Sequence, residues 1–408
     1  MKIIYIHQYF TLPETSGNTR SYDLAMSFVK QGHRVEFLTT SCNIKGDFHD
    51  GWNILPLNEN ITLNVLKTRK YDNSLSTFQR IKFFFHFLWF SSVKILNIPA
   101  ELVIATSTPL TVGIPALIKS WFGKTPFIFE VRDVWPEAVI AIGAIKNSMV
   151  IKSLELLEGI IYKNSKHIVA LSTDMKKSIV HRYPELEKNI TVIENLSVIN
   201  RFTVSESKIN GVPVQFKKNN KFKIVYAGAF GKVNALEYVV ELAFLLLPLE
   251  PNITFILIGN GAEKNNVIER AKRLGVFDKN LFILDPVSKN DLPPIYSHTE
   301  MGSSFVAPIK ELWSNSANKF FDTLAAGKPI LINYEGWQSE VIKNANVGYV
   351  LPYDLKNITK EDLLSFIHYT RNTPLQIEQR LNAKKLSRRY SLETASEKYL
   401  NIIELFPT

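Results

Sequence analysis

The stretch Asn315-Ser-Ala-Asn-Lys-Phe-Phe-Asp-Thr-Leu-Ala-Ala-Gly-Lys-Pro-Ile-Leu331 reads as a polar loop, a short helix, a glycine stop at Gly327 and a strand. Helix N-termini present backbone N–H groups and the positive end of the dipole, which suits a phosphate. Asn318 and Lys319 stand at that end, and Lys319 adds a point charge. Asp322, one turn on, can accept hydrogen bonds from sugar hydroxyls. A phosphate site followed by a hydroxyl-reading carboxylate describes a nucleotide-sugar pocket.

Working outward, short β-rich runs alternate with longer helical ones. Lys2–His7, Arg34–Thr39, Leu102–Thr106, Phe127–Glu130 and Ile168–Leu171 read as strands, and Ser21–Gln31 as a helix closed by Gly32. The alternation weakens between about residues 195 and 220, a polar stretch with Pro213 and Lys217-Lys218. It then restarts. Lys223–Ala227, Thr254–Ile258, Leu281–Leu284, Ser303–Val306 and Pro329–Asn333 read as strands, Leu236–Leu247 and Glu263–Leu274 as helices. Such alternation predicts α/β architecture, each domain a parallel sheet covered by helices, doubly wound and Rossmann-like. The expected organisation is a domain over 1–200, a linker over 201–220, a second domain over 221–388 and a last helix within 389–408, about Leu392–Leu405.

Composition bounds the rest. At 408 residues the chain fits two domains of ordinary size. Cys42 is the single cysteine, which excludes an intramolecular disulfide and a cysteine metal cluster. The charge of +10 is spread evenly: residues 1–200 hold 22 Lys/Arg against 17 Asp/Glu, and 201–408 hold 26 against 21. Without a basic stripe or tail, nucleic acid is a poor partner, whereas diphosphates or an anionic membrane face fit. The N-terminal apolar run is short and lacks a small-residue cleavage site, so it reads as a strand rather than a leader. No apolar run approaches the roughly 18 residues of a spanning helix.

Several motifs admit two readings. Thr15-Ser-Gly-Asn-Thr-Arg20 is either a phosphate loop, with Gly17 and Asn18 at the helix start, or a capped strand-to-helix turn. Phe129-Glu-Val-Arg-Asp-Val-Trp-Pro-Glu137 crowds Glu130, Arg132, Asp133 and Glu137 at a strand end, as an acid–base site or a salt-bridge cluster. Tyr226-Ala-Gly-Ala-Phe-Gly-Lys232 opens the second domain with Gly228 and Gly231 permitting a tight loop and Lys232 able to meet a phosphate; the alternative is a plain turn with a solvated lysine. Leu257-Ile-Gly-Asn-Gly261 lacks a third glycine and reads as a tight turn. Phe83-Phe-Phe-His-Phe-Leu-Trp-Phe90, flanked by Arg80, Lys82 and Lys94, is a helix packed on the sheet or one lying in a membrane interface. The histidines show no metal-ligand spacing, and there is neither an Asp-x-Asp pair nor a Gly-x4-Gly-Lys phosphate loop.

Together these segments resemble family 4 glycosyltransferases of the GT-B fold. The chain start through Gly32-His-Arg-Val-Glu-Phe-Leu-Thr39 resembles the family's first domain, and Val192-Ile-Glu-Asn195 through Arg201-Phe202 its domain junction. Tyr226–Lys232, Leu257–Gly261, Leu284–Ser288 and Asn315–Leu331 follow in family order. The Arg-Asp-x-Trp-Pro-Glu variant further resembles enzymes building bacterial O-antigen and capsule. The resemblance implies two Rossmann-like domains facing a central cleft, with the last helix crossing back to the first. It implies transfer of a sugar, an amino-deoxyhexose among the candidates, from a nucleotide diphosphate donor, UDP or GDP, with retention and without a bound metal or other cofactor. The acceptor would be a lipid-linked glycan, and the site cytoplasmic at the inner membrane face, with residues 80–94 as a candidate membrane contact. Asp133, with Arg132 and Glu137, would serve the acceptor side; Lys232 and Lys319 the departing diphosphate; Gly17, Asn18, Gly228, Gly231 and Asn318 the phosphates; Val287 the base; Asp322 the ribose. The chain departs from the pattern at the junction, where Glu194 and Leu196 replace the usual Pro and Gly, and at Ser314, which stands where the family places a sugar-facing glutamate, with Glu311 a nearby substitute. An epimerase or hydrolase of nucleotide sugars, or an inactive scaffold of the same fold, are the competing expectations.

Overall fold

The computed structural model describes residues 1–68, 77–202, 212–217 and 221–406. The chain divides into two compact units, the first made of Met1–Glu194, Ser314–Ser316 and Glu393–Thr408, the second of Asn195–Trp313 and Ala317–Leu392.

The first unit is built on β1 (Lys2–Ile6), β2 (Arg34–Thr40), β3 (Trp52–Asn58), β4 (Ile61–Leu66), β5 (Leu102–Thr106), β6 (Phe127–Val131), β7 (His167–Ala170) and β8 (Ile190–Val192). They form one sheet in the order β3-β4-β2-β1-β5-β6-β7-β8. The inner strands β5, β6 and β7 are buried along their whole length. That is why they read as continuous apolar runs rather than alternating ones, as strands covered on both faces must.

This sheet is not wholly parallel, contrary to expectation. β3 runs antiparallel to β4. The Asn58 side-chain carbonyl accepts from the Asn60 and Ile61 amides at 2.9 and 2.8 Å, which closes the turn locally. Pro56 is tolerated because β3 is an edge strand. The same proline masks the strand in the sequence.

The last helix, Leu392–Ile403, belongs to the first unit from Glu393 on. Its Tyr399 ring meets Phe28 of the helix Arg20–Lys30 at 5.7 Å between centroids.

The second unit carries β9 (Phe222–Ala227), β10 (Ile253–Ile258), β11 (Leu281–Leu284), β12 (Met301–Ser304), β13 (Ile330–Ile332) and β14 (Gly348–Val350). Their order is β11-β10-β9-β12-β13-β14, all parallel. One core cluster gathers Ile224, Tyr226, Phe255, Leu257 and Phe305 under the helix Leu236–Leu246; another gathers Val225, Ile256, Phe282 and Tyr296. Of the stretch 201–220 read as a linker, residues 203–211 and 218–220 lie outside the described residues. Val212 and Phe216 are buried beside Phe202 and Tyr296 in that second cluster.

Candidate functional site

In a doubly wound sheet the ligand crevice opens at the carboxyl ends of the strands, where the strand order reverses. In the second unit that point falls between β9 and β12. The loop after β9 runs from Gly228 into a 3-10 turn, Lys232–Asn234. The loop after β10 is pressed against it. Gly259 has φ +154°, and a Cβ there would lie 1.8 Å from the Gly228 carbonyl oxygen. A Cβ on Gly261 would lie 2.5 Å from the Phe230 carbonyl oxygen. The Gly-x-Gly turn is thus a seat for the neighbouring loop, which only two glycines at that spacing allow.

Lys319 enters this place from the first turn of the helix Asn318–Ala325. Its ammonium stands 4.8 Å from the Tyr226 ring centroid and 3.4 Å from the Asn234 side-chain oxygen. The side chain reaches Gly228 as well: a Cβ on that glycine would come within 3.1 Å of Nζ. Burial pushes the ammonium down to about 8; Lys289 adds to the effect and Asp322 opposes it. Lys319 keeps part of its surface open, while its charged end lies among packed groups.

Asp322, one turn further, is ion-paired with Lys289, and both side chains are almost wholly buried. Two lysines therefore surround one carboxylate, leaving an excess positive charge in a poorly solvated place. Such a charge favours an anionic ligand. Lys289, Tyr226 and Asn234 were not singled out from the sequence. Lys289 looks like any loop lysine there, and only its burial against Asp322 distinguishes it.

The other candidates of this unit are distributed around the pair of loops. Gly231 precedes the 3-10 turn and Lys232 is exposed at its start. Asn318 is the first residue of its helix. Val287 packs against the cluster of Val225, Ile256 and Tyr296. Glu311 is exposed on the 3-10 turn Lys310–Leu312.

In the first unit the strand order reverses between β1 and β5. His7 follows β1, Ser107 and Thr108 follow β5, and Arg132 and Asp133 follow β6. The Arg132 guanidinium lies 3.0 Å from His7 Nε2, and the Ser21 hydroxyl lies 2.9 Å from His7 Nδ1. Burial, with Arg132 adding to it, holds the imidazole well below its ordinary value. The Thr108 hydroxyl donates to Asp133 at 2.7 Å, and the Arg132 amide to Ser107 Oγ at 2.9 Å. The structure thus gathers Arg132 and Asp133 with His7 and Thr108, two residues the sequence did not mark.

Glu137 is engaged elsewhere. It accepts from the Ser178 hydroxyl at 2.7 Å and meets Arg182 at 3.5 Å. A helix beginning at Glu137 carries it away from the strand end toward the helix Thr173–Arg182. Glu130 forms a separate buried group with Arg20 and Tyr399. The Asn18 side-chain oxygen accepts from the Arg20 amide at 2.8 Å, two residues ahead of the helix start. Gly17 has φ +139°. Ser314 is part of the first unit, where its carbonyl accepts from the Ser172 hydroxyl at 2.6 Å.

Residues 212–368 match the family described as Glycosyl transferases group 1. A curated relative, spore coat protein SA of Bacillus subtilis (strain 168), is 23% identical over 246 residues, 57% of this chain and 64% of that protein. The match thus spans less than two thirds of that protein's length. Among solved structures, sucrose-phosphate synthase from Thermosynechococcus elongatus superposes with a TM-score of 0.75 at 11% identity, over 99% of this chain and 98% of the other. Anabaena HepE in complex with UDP gives 0.68 at 15%, over 99% and 100%. WaaG, a glycosyltransferase involved in lipopolysaccharide biosynthesis, gives 0.69 at 15%, over 98% and 99%. Residues 212–368 are accordingly similar to group 1 glycosyltransferases, and the chain as a whole shares the GT-B fold of these structures.

Proposed function

We propose that this chain transfers a sugar from a nucleotide diphosphate donor, UDP-linked, to a lipid-linked saccharide of a bacterial surface polysaccharide. The observation that carries the reading is Lys319 at the N-terminus of its helix, its ammonium beside Tyr226 and Asn234 and held at about 8. A diphosphate brought to this end would restore the full charge of Lys319 and meet the helix amides. As the glycosidic bond breaks, negative charge grows on the leaving oxygen, and donors already fixed in place stabilise it without reorganising. Lys232 would supply a further cation from the adjoining loop. The Lys289 ammonium, ion-paired with Asp322, would keep that carboxylate oriented toward the ribose hydroxyls.

The nucleotide is proposed from the bound UDP named for HepE and the acceptor class from the role named for WaaG. Membership of family 4, retention at the anomeric carbon and an O-antigen or capsule product belong to the same proposal. On the acceptor side, Asp133 and Thr108, with Arg132 on His7, would orient the attacking hydroxyl. The reaction is proposed to need no metal, with Lys319, Lys232 and the helix amides meeting the charge of the diphosphate.

Calorimetry with UDP, GDP, CDP and ADP, with and without magnesium, tests the donor site. Tight binding of UDP regardless of magnesium is expected; binding of none of the four would sink the reading. Donor consumed in the absence of any acceptor would favour a hydrolase or epimerase instead.

A further inference from the structure

Tyr226 stands near the end of β9 and is wholly buried, yet its ring lies against a charge. The Lys319 ammonium is 4.8 Å from the ring centroid, within the range at which the negative face of an aromatic ring attracts a cation. Packing fixes the ring. Phe230 meets it nearly at right angles and Phe305 at a tilt, each at 6.3 Å between centroids. Phe305 in turn rests on Tyr238 at 5.9 Å.

The far end of the same side chain holds the loop after β9. The Tyr226 hydroxyl donates to the Ala229 carbonyl at 2.7 Å. Burial, with Tyr334 adding to it, pushes the phenol well above its ordinary value, so it remains a donor. The Phe230 amide of that same peptide unit donates to the Asn260 carbonyl at 2.9 Å, so the peptide is gripped from both sides. Gly228 lies between: a Cβ there would come within 3.1 Å of Lys319 Nζ and 3.2 Å of the Tyr226 hydroxyl. One side chain therefore joins the loop to the cation that arrives on the helix Asn318–Ala325.

An ammonium that is to meet a diphosphate without reorganising must be fixed beforehand, and a lysine stem is flexible. Asn234 meets Lys319 only at 3.4 Å, and Asp322 is ion-paired with Lys289. The ring is thus the group that sets where the charge stands. We propose that Tyr226 is a positioning residue of the donor site: its ring fixes the Lys319 ammonium and its hydroxyl fixes the Ala229 peptide, so that cation and loop meet a diphosphate as one unit. The ligand comes from the donor reading above, whereas the hold of the ring on Lys319 belongs to the free protein.

The test compares the parent, Tyr226→Phe and a trifluorinated phenylalanine at position 226, which keeps the ring's shape but weakens its negative face. Solution NMR of the full chain labelled at the lysine ε-carbons follows the Lys319 titration, its signal identified by its loss in Lys319→Ala. Tyr226→Phe should leave that titration nearly unchanged. Fluorination should shift it about three- to tenfold toward the neutral form, because the charged form loses the attraction of the ring. UDP affinity, by calorimetry, should fall about three- to tenfold in Tyr226→Phe, where the bond to Ala229 is lost, and further on fluorination. A ring that only filled the core would not respond to fluorination in this way. A Lys319 titration unmoved by fluorination, or moved toward the ordinary lysine value, overturns the ring's part. UDP affinity in Tyr226→Phe equal to the parent's overturns the hydroxyl's part. A parent that binds no UDP, with the fluorination shift still present, fails the donor reading alone and leaves the hold on Lys319 standing.

Discussion

The Tyr399 hydroxyl donates to the Glu130 carboxylate, joining two fully buried side chains 269 positions apart. Arg20 meets the same carboxylate at 3.0 Å and donates to the carbonyls of Ile193 and Glu194. One network thus ties the last helix, the end of β6, the first helix and the final residues before the chain leaves the first unit. Burial alone would raise the Glu130 carboxyl; Arg20, Tyr399, Arg132 and Thr106 outweigh it and hold it below 4.5.

Removing the cation leaves that carboxylate buried without a counter-charge. Arg20→Met should therefore cost about 3–5 kcal/mol, and Tyr399→Phe, which removes one donor, about 1–3 kcal/mol. Denaturant midpoints give both values. Because the folded value of Glu130 lies below its ordinary one, its contribution is present above 4.5 and lost as pH falls through the lowered value. Arg20→Met should show less acid sensitivity in that window.

Lys319→Ala should fold normally and lose about 10²–10³ in turnover, the loss usual for one transition-state charge donor. Parent-like turnover would remove Lys319 from the mechanism. Its lowered value supplies a second readout. Near pH 9 the free protein holds Lys319 largely neutral, so UDP binding should take up a proton. Calorimetry in buffers of different ionisation enthalpy measures this uptake, and Lys319→Ala should abolish it. The stability of the fold changes with pH in the same direction as for a paired carboxylate, because both folded values are lowered. The unfolded chain holds this proton more strongly, so Lys319 makes stability rise with pH between about 8 and 10.5.

Lys289 and Asp322 should behave as a coupled pair. Lys289→Met or Asp322→Leu alone strands a buried charge and is expected to cost about 3–5 kcal/mol, whereas the double variant should be more stable than either. UDP affinity should nonetheless remain weak in the double variant, because no carboxylate is left for the ribose. Additive stability losses would show that the two charges are independently solvated.

Gly259→Ala would place a methyl group inside the Gly228 carbonyl and in a backbone region that side chains rarely adopt. Since the loop after β9 must shift to admit it, UDP binding should fall by at least about tenfold and the thermal midpoint should drop. Gly231→Ala, whose Cβ would meet nothing closer than 3.6 Å, is the matched control for folding and should leave the thermal midpoint nearly unchanged.

The sequence by itself determined the alternation of strands and helices. Leu102–Thr106 and Leu281–Leu284 begin and end where they were read. Buried parallel strands must be continuous apolar runs, and Gly32 and Gly327 mark helix ends through φ values of +83° and +65°. It also placed Lys319 and Asp322 on one helix, because three residues make nearly a turn. The edge hairpin was hidden by Pro56, and the short strands Ile190–Val192 and Gly348–Val350 are too brief to carry a period. Which charges meet was decided by the tertiary structure. Glu137 went to Arg182, and Glu130 found Arg20 and Tyr399. Lys289 reached Asp322 across 33 positions. Local sequence fixes periodicity and turn geometry, whereas the partner of a buried charge is chosen by which strand ends the topology brings together.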